Sequence, residues 1–392
     1  MPQIDRRDFL KLVGTSAGAV AATGCSDHVT NLIPYVVQPE EITPGIPVYY
    51  ASTCQECPAG CGIHVKTREG KPILVEGNPD HPVNRGALCA RGQATIGRTF
   101  QPDRFRGPQV RNEEGELVPV TWDAAIEQLA KAVGERPKGT HFLGSHPGET
   151  AAKVMDRLAT SIGASRTVFE PFSDEGLRAA TSEVFGVEGT PVFDLTDADL
   201  VIDFGSELLD TGLSVTEHKR QLADARDVEQ HIDGGARLVY VGSRLSLTAS
   251  SSDEWVPAKP GSEGQLALAI ARVAIESGND QSLLNLVSGV SVSEAAQSSD
   301  IPAETIERLG RAVARGKKVV ALPPGPAVTS RRAVGANAAV LILNAVAGSI
   351  GSGVRILPDQ SESTKSSYKD ALALIRQMND GAVSVLFVHG SN

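Results

Sequence analysis

The chain has little cysteine, few aromatic residues, no long hydrophobic run and no long run of positive charge. The missing hydrophobic run matters first, because no apolar stretch approaches the roughly 20 residues that a membrane-spanning helix needs. The net charge of −10, without a long basic run, gives no indication of a nucleic-acid partner. With 41% hydrophobic residues over 392 positions, the composition is that of a globular protein of two or three domains.

Four of the five cysteines lie within Thr53–Gly92, at Cys54, Cys57, Cys61 and Cys89. The gaps between them are two, three and twenty-seven residues. A short loop that wraps three thiols, with a fourth from a returning segment, suits a cubane iron–sulfur cluster. Structural zinc would favour two short paired knuckles, of which only one is present, and disulfides remain conceivable in an exported protein.

The long third gap holds a predicted hairpin. Residues 63–67 alternate apolar and polar side chains, residues 69–71 form a turn, and residues 73–77 form a second strand. The hairpin carries the chain away from Cys61 and back towards Cys89. His64 lies on the first strand, where a lone histidine is more often a packing or surface residue than a ligand.

The first 25 residues are typical of a targeting signal. Arg6 and Arg7 precede a mild apolar segment over residues 12–22, an arrangement that resembles the twin-arginine export motif; the alternative is a short buried helix. Cys25 follows small residues as in a lipobox, although Ala22 stands where leucine is usual. We predict lipidation of Cys25, with a plain cleaved signal or an uncleaved anchor as alternatives. The mature protein is then expected in the periplasm or on the outer face of the cytoplasmic membrane.

A proline-rich segment over residues 26–50 is predicted to be an extended strap or a spacer. Beyond it, strands alternate with helices, which implies parallel sheets built from βαβ units. The predicted strands are 141–145, 167–170, 199–205, 237–242, 317–322 and 383–388, and examples of predicted helices are 149–161, 263–277, 303–315 and 366–378. Ligands bind such sheets beyond the carboxyl ends of the strands. Gly205, Gly242 and Gly390 follow three of these strands, where a dinucleotide would approach the backbone.

Four segments resemble the N-terminal part of the molybdopterin oxidoreductases, at residues 54–61, 76–82, 86–92 and 102–104. Residues 33–41 and the strap look closer to the large iron–sulfur subunit of alternative complex III, a membrane quinol oxidoreductase. The resemblance extends over almost the whole chain and is strongest from Arg6 to Arg111. It implies an α/β protein with a small β-rich [4Fe-4S] domain over residues 51–107. A Rossmann-like parallel-sheet body would follow over residues 108–392.

The resemblance also implies cofactors and partners. The cofactors are a [4Fe-4S] cluster and a bis-molybdopterin guanine dinucleotide with molybdenum or tungsten. The partners are an iron–sulfur electron-transfer subunit and a membrane quinone-reactive subunit. Ser173 lies near the position of the family's metal ligand; alternatively it caps a helix that begins with Asp174 and Glu175. Arg91 lies where the family places a basic residue between cluster and pterin, and the alternative is a surface ion pair.

The pterin-binding pattern is mixed. Glu207 stands where the family often has the asparagine of Gly-Ser-Asn, and Gly242 stands near a lost aspartate expected to bind guanine. The residues that retain the pattern, and that the resemblance assigns to the dinucleotide, are Gly205, Ser206, Arg244, Gly261, Gly390, Ser391 and Asn392.

Two functions follow as expectations. The first is an exported molybdopterin-type oxidoreductase that passes electrons through one cluster. The second is a cofactor-poor subunit that conducts electrons in a quinol-oxidising complex. Since the chain stops at Asn392, directly after a predicted buried strand, we also expect it to be the N-terminal part of a longer protein that lacks its C-terminal part.

Overall fold

A computed structural model of the chain describes residues 42–135, 139–145, 148–170, 174–231, 234–278, 280–325, 332–358 and 366–390. The twin-arginine segment, Cys25, Ser173, Ser391 and Asn392 lie outside these residues. The chain divides into two compact units. In the smaller unit, Met1–Val48 with Arg68–Gly70, the Gly45 amide donates a hydrogen bond to Glu69 over 2.8 Å. The larger unit, Tyr49–Thr67 with Lys71–Asn392, contains the cysteine segment and both α/β sheets.

A three-stranded sheet carries the cysteine segment. Its strands lie in the order β1 (Val48–Thr53), β2 (Gly62–Arg68) and β3 (Lys71–Gly77). The predicted hairpin is confirmed, and its turn residues Glu69 and Gly70 both have positive φ, at 44° and 74°. Strand β1 begins inside the segment predicted as a strap, because residues 48–50 pair with the sheet. Helix α1 (Ala90–Thr99) begins directly after Cys89, which is its N-cap.

A short antiparallel hairpin and one helix lead into the α/β body. The hairpin pairs β4 (Gln109–Arg111) with β5 (Leu117–Pro119), and helix α2 (Trp122–Glu135) follows it. Helix α2 has no buried residue. Its apolar side chains Trp122, Ile126 and Leu129 are exposed.

The first α/β sheet is parallel, with strand order β14 (Val385–His389), β6 (Thr140–Gly144) and β7 (Ser165–Val168). Helix α3 (Glu149–Ser161) joins β6 to β7, and α11 (Tyr368–Asn379) precedes β14. The predicted strands are therefore confirmed to within two or three residues at each end. Helix α4 (Glu175–Phe185) follows β7, and its N-cap is Asp174. Ser173 lies outside the described residues, so both of its predicted roles, metal ligand and helix cap, stay predictions.

The second α/β sheet is also parallel, with strand order β11 (Glu254–Val256), β10 (Arg237–Val241), β9 (Leu200–Asp203) and β12 (Val319–Leu322). Asp203 pairs with Tyr240 on one side and Leu322 on the other, so these three residues lie side by side at the carboxyl edge. Strands β8 (Val192–Phe193) and β13 (Val354–Arg355) form a separate antiparallel pair.

Helices cover both faces of the second sheet. They are α5 (Val215–Ala225), α6 (Leu247–Ser250), α7 (Glu263–Glu276), α8 (Val292–Ser299), α9 (Ala303–Arg315) and α10 (Ala333–Val346), with a 3₁₀ helix at Gln281–Val287. Helix α7 packs between α9 and α10 in the largest hydrophobic core. The strands are buried on both faces, as expected for a parallel sheet between helices. In the described part of the chain, no helix is both long enough and apolar enough to cross a membrane.

Candidate functional site

The four thiols of the cysteine segment lie around one short loop. Cys54 directly follows β1 and Cys61 directly precedes β2, and the Cys54 amide donates to the Cys61 carbonyl over 2.8 Å. Cys54 and Cys61 are buried, whereas Cys57 and Cys89 are partly exposed. All four are free thiols. The loop therefore carries three thiols, two of them buried, and Cys89 at the start of α1 supplies the fourth.

Hydrophobic side chains enclose the buried half of this loop. Cys54 and Cys61 share a small core with Ile63 and Val75, and the partly buried residues packed against it are Ala59, Val65, Leu88 and Ile96. His64 lies half-buried on β2 and is not part of this core.

The thiols influence one another electrostatically. Burial raises the pKa of the Cys54 thiol, and the neighbouring charges of Cys61 and Cys57 raise it further. Burial also raises the pKa of Cys61, with contributions from Cys57 and Cys89, while a hydrogen bond with Thr216 lowers it. Four thiolates this close together need a positive partner to remain ionised, and bound metal ions supply that charge.

Zinc and an iron–sulfur cluster place different geometric demands on four thiols. Throughout the described residues, no three His, Cys, Asp or Glu side chains come close enough together to hold one metal ion. A tetrahedral zinc site brings every sulfur to about 2.3 Å from a single ion. An iron–sulfur cluster instead takes each of its four thiolates at a separate corner.

Asn84 fixes the loop and the returning segment in place. Its side chain is fully buried and makes three hydrogen bonds to the backbone. Oδ1 accepts from the Gly62 amide over 2.9 Å, while Nδ2 donates to the Gly62 carbonyl over 2.9 Å and to the Ala87 carbonyl over 2.7 Å. One asparagine thus connects the residue after Cys61 to the residue two before Cys89. Asn84 was not predicted from the sequence, because a loop asparagine has no local signal for such contacts.

Helix α1 is attached to the cysteine loop by Arg98 rather than by Arg91. Arg98 forms an ion pair with Glu56 over 2.7 Å, and the Thr95 hydroxyl donates to the same carboxylate over 2.9 Å. Arg91 is exposed in the first turn of α1. The predicted electron-transfer role of Arg91 stays a prediction.

A cavity of about 490 Å³ adjoins the open side of the loop. It extends from Cys54 and Cys57 to the carboxyl edge of the first α/β sheet, which contributes residues from the ends of all three strands: Ser145, Glu170, His389 and Gly390. We call it the loop-side cavity. Gly390 has φ of 61°, and a Cβ there would lie 2.6 Å from Ser145 Oγ. His389 was not singled out from the sequence, because histidine at a strand end has no specific local pattern.

The carboxyl edge of the second α/β sheet borders a smaller cavity than the loop-side cavity. Its cavity is about 80 Å³, and Ser206, His218 and Gly325 contribute to its lining. Ser206 donates to buried Asp203 through its amide over 2.5 Å and through its hydroxyl over 2.8 Å. Burial raises the pKa of Asp203 to about 6 despite these hydrogen bonds. Gly205 has φ of 83°, and a Cβ on Gly325 would lie 2.7 Å from the Ser206 carbonyl oxygen.

Glu207 occupies this edge with its own hydrogen-bond network. Its carboxylate is buried and accepts from the Tyr240 hydroxyl over 2.9 Å and from Arg244 over 3.1 Å. Burial alone would raise the pKa of Glu207, but hydrogen bonds from Ser246, Tyr240 and Arg244 outweigh it and lower the pKa. The edge therefore carries a permanent buried anion, and Arg244, predicted to bind a dinucleotide, is paired with it.

Two other predicted glycines have specific surroundings. A Cβ on Gly242 would lie 2.9 Å from the Tyr240 ring, so a larger residue would require Tyr240 to move. The predicted approach of a dinucleotide to the Gly242 backbone stays a prediction. Gly261 has φ of 82° in the turn before α7, with open space around it.

Two family models match successive parts of the chain. The molybdopterin oxidoreductase Fe4S4 domain matches residues 48–99, and the molybdopterin oxidoreductase model matches residues 104–391. The chain belongs to the molybdopterin oxidoreductase family. The two domains imply a [4Fe-4S] cluster and a molybdopterin cofactor with molybdenum or tungsten, and members of this family are oxidoreductases.

Three curated relatives illustrate the similarity to other molybdopterin oxidoreductases. The menaquinone reductase molybdopterin-binding-like subunit of Nitratidesulfovibrio vulgaris is 26% identical and covers 91% of this chain and 53% of the relative. The thiosulfate reductase molybdopterin-containing subunit PhsA of Salmonella typhimurium is 26% identical over 88% of this chain and 46% of the relative. The arsenate respiratory reductase molybdopterin-containing subunit ArrA of a Shewanella species is 27% identical over 60% of this chain and 28% of the relative. The chain thus spans about half or less of these relatives.

A solved structure shares the fold. Acetylene hydratase from Pelobacter acetylenicus matches with a TM-score of 0.63 over 78% of this chain and 44% of that chain, at 16% identity. At that identity the likeness concerns the arrangement of the sheets and helices.

The two implied cofactors fit this molybdopterin oxidoreductase unequally. The cysteine segment offers four free thiols, two of which, Cys54 and Cys61, have an apolar backing, and this suits a cluster. The loop-side cavity has the volume and the polar strand-end residues for an organic cofactor. The second edge fits phosphate groups poorly, because the buried Glu207 carboxylate would repel them.

Proposed function

We propose that this chain is part of an exported, membrane-associated iron–sulfur oxidoreductase. A [4Fe-4S] cluster on Cys54, Cys57, Cys61 and Cys89 would carry electrons between the loop-side cavity and a partner protein. The observation that carries the proposal is the position of three of the four free thiols: Cys54 and Cys61 belong to the apolar core, and Cys54 and Cys57 line the cavity at the carboxyl edge of a parallel sheet. A cluster there would have one protected side and one side facing a redox site.

The chain's own residues perform distinct tasks in this proposal. Cys54 and Cys61 hold the buried side of the cluster, and the small hydrophobic core excludes water from it. Glu56, fixed by Arg98, keeps the loop closed against α1. Ser145, Glu170 and His389 line the loop-side cavity and supply polar contacts for a bound group. When bound there, a molybdopterin cofactor would supply two-electron redox or oxygen-atom transfer chemistry.

A second candidate function is favoured by Glu207. A cofactor-poor subunit that only conducts electrons within a quinol-oxidising complex would need the cluster but not a dinucleotide site. The buried anion and its partners Tyr240 and Arg244 fill the edge that a dinucleotide would use. This candidate keeps the same cluster ligands and the same partner subunits, an iron–sulfur protein and a quinone-reactive membrane protein.

Metal analysis of the full-length protein, purified without oxygen from its own host, tests the proposal and separates the two candidates. We expect about four iron atoms per chain and a cluster EPR signal on reduction. Molybdenum or tungsten near one per chain supports the enzyme, and iron alone supports the conducting subunit. Stoichiometric zinc without iron would contradict both.

Cys25 provides the matched control for ligand assignment. Cys54→Ser is expected to lose the cluster signal, whereas Cys25→Ser should retain full iron because it leaves all four proposed ligands in place. An unchanged iron content in Cys54→Ser would remove that residue from the site.

Cys25→Ser also tests the proposed membrane anchoring, and a change of Arg6 and Arg7 tests the export route. Membrane association depends on lipidation at Cys25 in this proposal, so Cys25→Ser should shift the exported protein from the membrane to the soluble periplasmic fraction. Replacing Arg6 and Arg7 together by lysine should leave the protein in the cytoplasm. Export that is independent of this arginine pair would contradict the twin-arginine route.

A further inference from the structure

A buried contact connects the cysteine loop to a helix of the second α/β sheet. The Sγ atom of Cys61 lies 3.0 Å from Oγ1 of Thr216, and the two residues are 155 positions apart in the sequence. Both side chains are buried, with exposed fractions of 6% and 4%. No sequence motif contains Thr216, and the molybdopterin-binding pattern does not include it.

The chemistry of a cluster ligand fixes the direction of this hydrogen bond. As free groups, either the thiol or the hydroxyl could donate. A cysteine bound to iron is a thiolate without a proton, so it can only accept. The Thr216 hydroxyl must then donate to Cys61. Since Thr216 is the second residue of α5, the amino end of the helix dipole lies near the same sulfur and also favours negative charge there.

Helix α5 holds this hydroxyl in a fixed position. Val215, Leu222 and Ala225 are buried along the helix, which packs through Leu222 and Ala225 into the second hydrophobic core. Towards its other end, Asp224 forms an ion pair with Arg85 of the cysteine segment over 2.6 Å. The helix is therefore attached to the cysteine segment near both ends, so the hydroxyl cannot easily turn away from Cys61.

We propose that Thr216 is a positioning residue that raises the reduction potential of the cluster by donating a hydrogen bond to the Cys61 ligand. The inference rests on the proposed function, because it requires that Cys61 bind a cluster. Reduction adds one electron, and part of that negative charge resides on the cysteine sulfurs. A hydrogen bond to one of those sulfurs stabilises the reduced state more than the oxidised state.

The test compares midpoint potentials in EPR-monitored redox titrations of the holoprotein. Thr216→Val keeps the side-chain shape but removes the donor, and Thr216→Ser keeps the donor. Thr181→Val is the matched control: Thr181 is also fully buried, and its hydroxyl donates only within its own helix, to the Leu177 carbonyl over 2.8 Å.

We expect Thr216→Val to retain its iron and to lower the equilibrium constant for one-electron reduction about tenfold, a downward shift of about 59 mV. Thr216→Ser and Thr181→Val should keep the wild-type potential. An unchanged potential in Thr216→Val with full iron content would overturn the inference.

A second measurement covers the case in which Thr216→Val fails to assemble a cluster. Proton ENDOR of the reduced wild type and Thr216→Ser, recorded in H₂O and D₂O, should show an exchangeable proton strongly coupled to the cluster. Absence of that proton in the wild type would also overturn the inference. A wild-type protein without iron would instead refute the proposed function, so the two failures are distinguishable.

Discussion

Replacement of Asn84 by alanine would remove the side chain that joins the loop of Cys54, Cys57 and Cys61 to the segment before Cys89. Three hydrogen bonds disappear together, two to Gly62 and one to Ala87. The Gly62 carbonyl keeps a second partner, since it also accepts from the Asn78 amide over 2.9 Å. The Gly62 amide loses its asparagine acceptor at a buried position, and the Ala87 carbonyl loses its asparagine donor.

The size of the effect follows from these separate losses. A buried donor left without a partner costs about 1–3 kcal/mol, and the bond to Ala87 contributes about 1 kcal/mol more. The expected destabilisation of the cysteine domain is therefore about 3 kcal/mol, which corresponds to a roughly hundredfold increase in its local opening. Because Asn84 spans the segment between Cys61 and Cys89, the same change should weaken cluster retention.

Hydrogen–deuterium exchange by mass spectrometry measures the opening directly. Peptides that cover β2 should exchange roughly a hundredfold faster in Asn84→Ala, while peptides of α7 remain unchanged. Iron release to a chelator should accelerate in parallel. Asn112→Ala is the matched control, since the Asn112 side chain accepts a hydrogen bond from the Glu116 amide in the β4–β5 turn, which lies outside the cysteine segment. Exchange and iron release equal to those of the wild type would refute the reasoning.

Two further predictions concern the α/β body. Gly310→Ala should destabilise the second sheet domain by about 1–3 kcal/mol, because the new Cβ would lie 2.5 Å from the Val273 Cβ on the facing helix. Gly335→Ala is the control, since it lies in a helix with open space around that position, and it should leave the thermal melting temperature unchanged or raise it. Equal melting temperatures of Gly310→Ala and Gly335→Ala would contradict this prediction. Burial raises the folded-state pKa of Asp203 to about 6, above the ordinary value of 3.8, so the folded state binds this proton more tightly than the unfolded state. The associated stabilisation is fully present below about pH 3.8 and is lost as pH rises to about 6, an effect on the order of 3 kcal/mol. The free energies of unfolding measured by denaturant titration at pH 4 and pH 7 should therefore differ less in Asp203→Asn than in the wild type. An equal difference in both proteins would exclude Asp203 as the source of the pH dependence.

Local patterns in the sequence determined the strands, the hairpin and the class of the cysteine site. The spacing of Cys54, Cys57 and Cys61 places three thiols on one loop in any fold, because so few residues separate them. Apolar runs such as residues 200–202 are buried wherever the strand lies, so their β-structure follows from the residues themselves. The alternation of strands and helices then determined parallel sheets.

Tertiary structure decided what touches the site. Strand β14 pairs with β6 although more than 200 residues separate them, and that pairing creates the edge that lines the loop-side cavity. Thr216 reaches Cys61 only because α5 packs against the cysteine segment. Such contacts join residues far apart in the chain and leave no periodic or spacing signal in either one.

The same distinction explains Glu207. The sequence showed that a glutamate stands where the family often has asparagine, but not whether its carboxylate faces solvent or the sheet edge. The pairing of β9 with β10 brings Tyr240 beside Asp203, and Tyr240 and Arg244 then hold the Glu207 carboxylate inside the protein. The residue identity was a property of the sequence. Its burial as an anion at the expected dinucleotide edge depended on strand register, which only the folded chain defines.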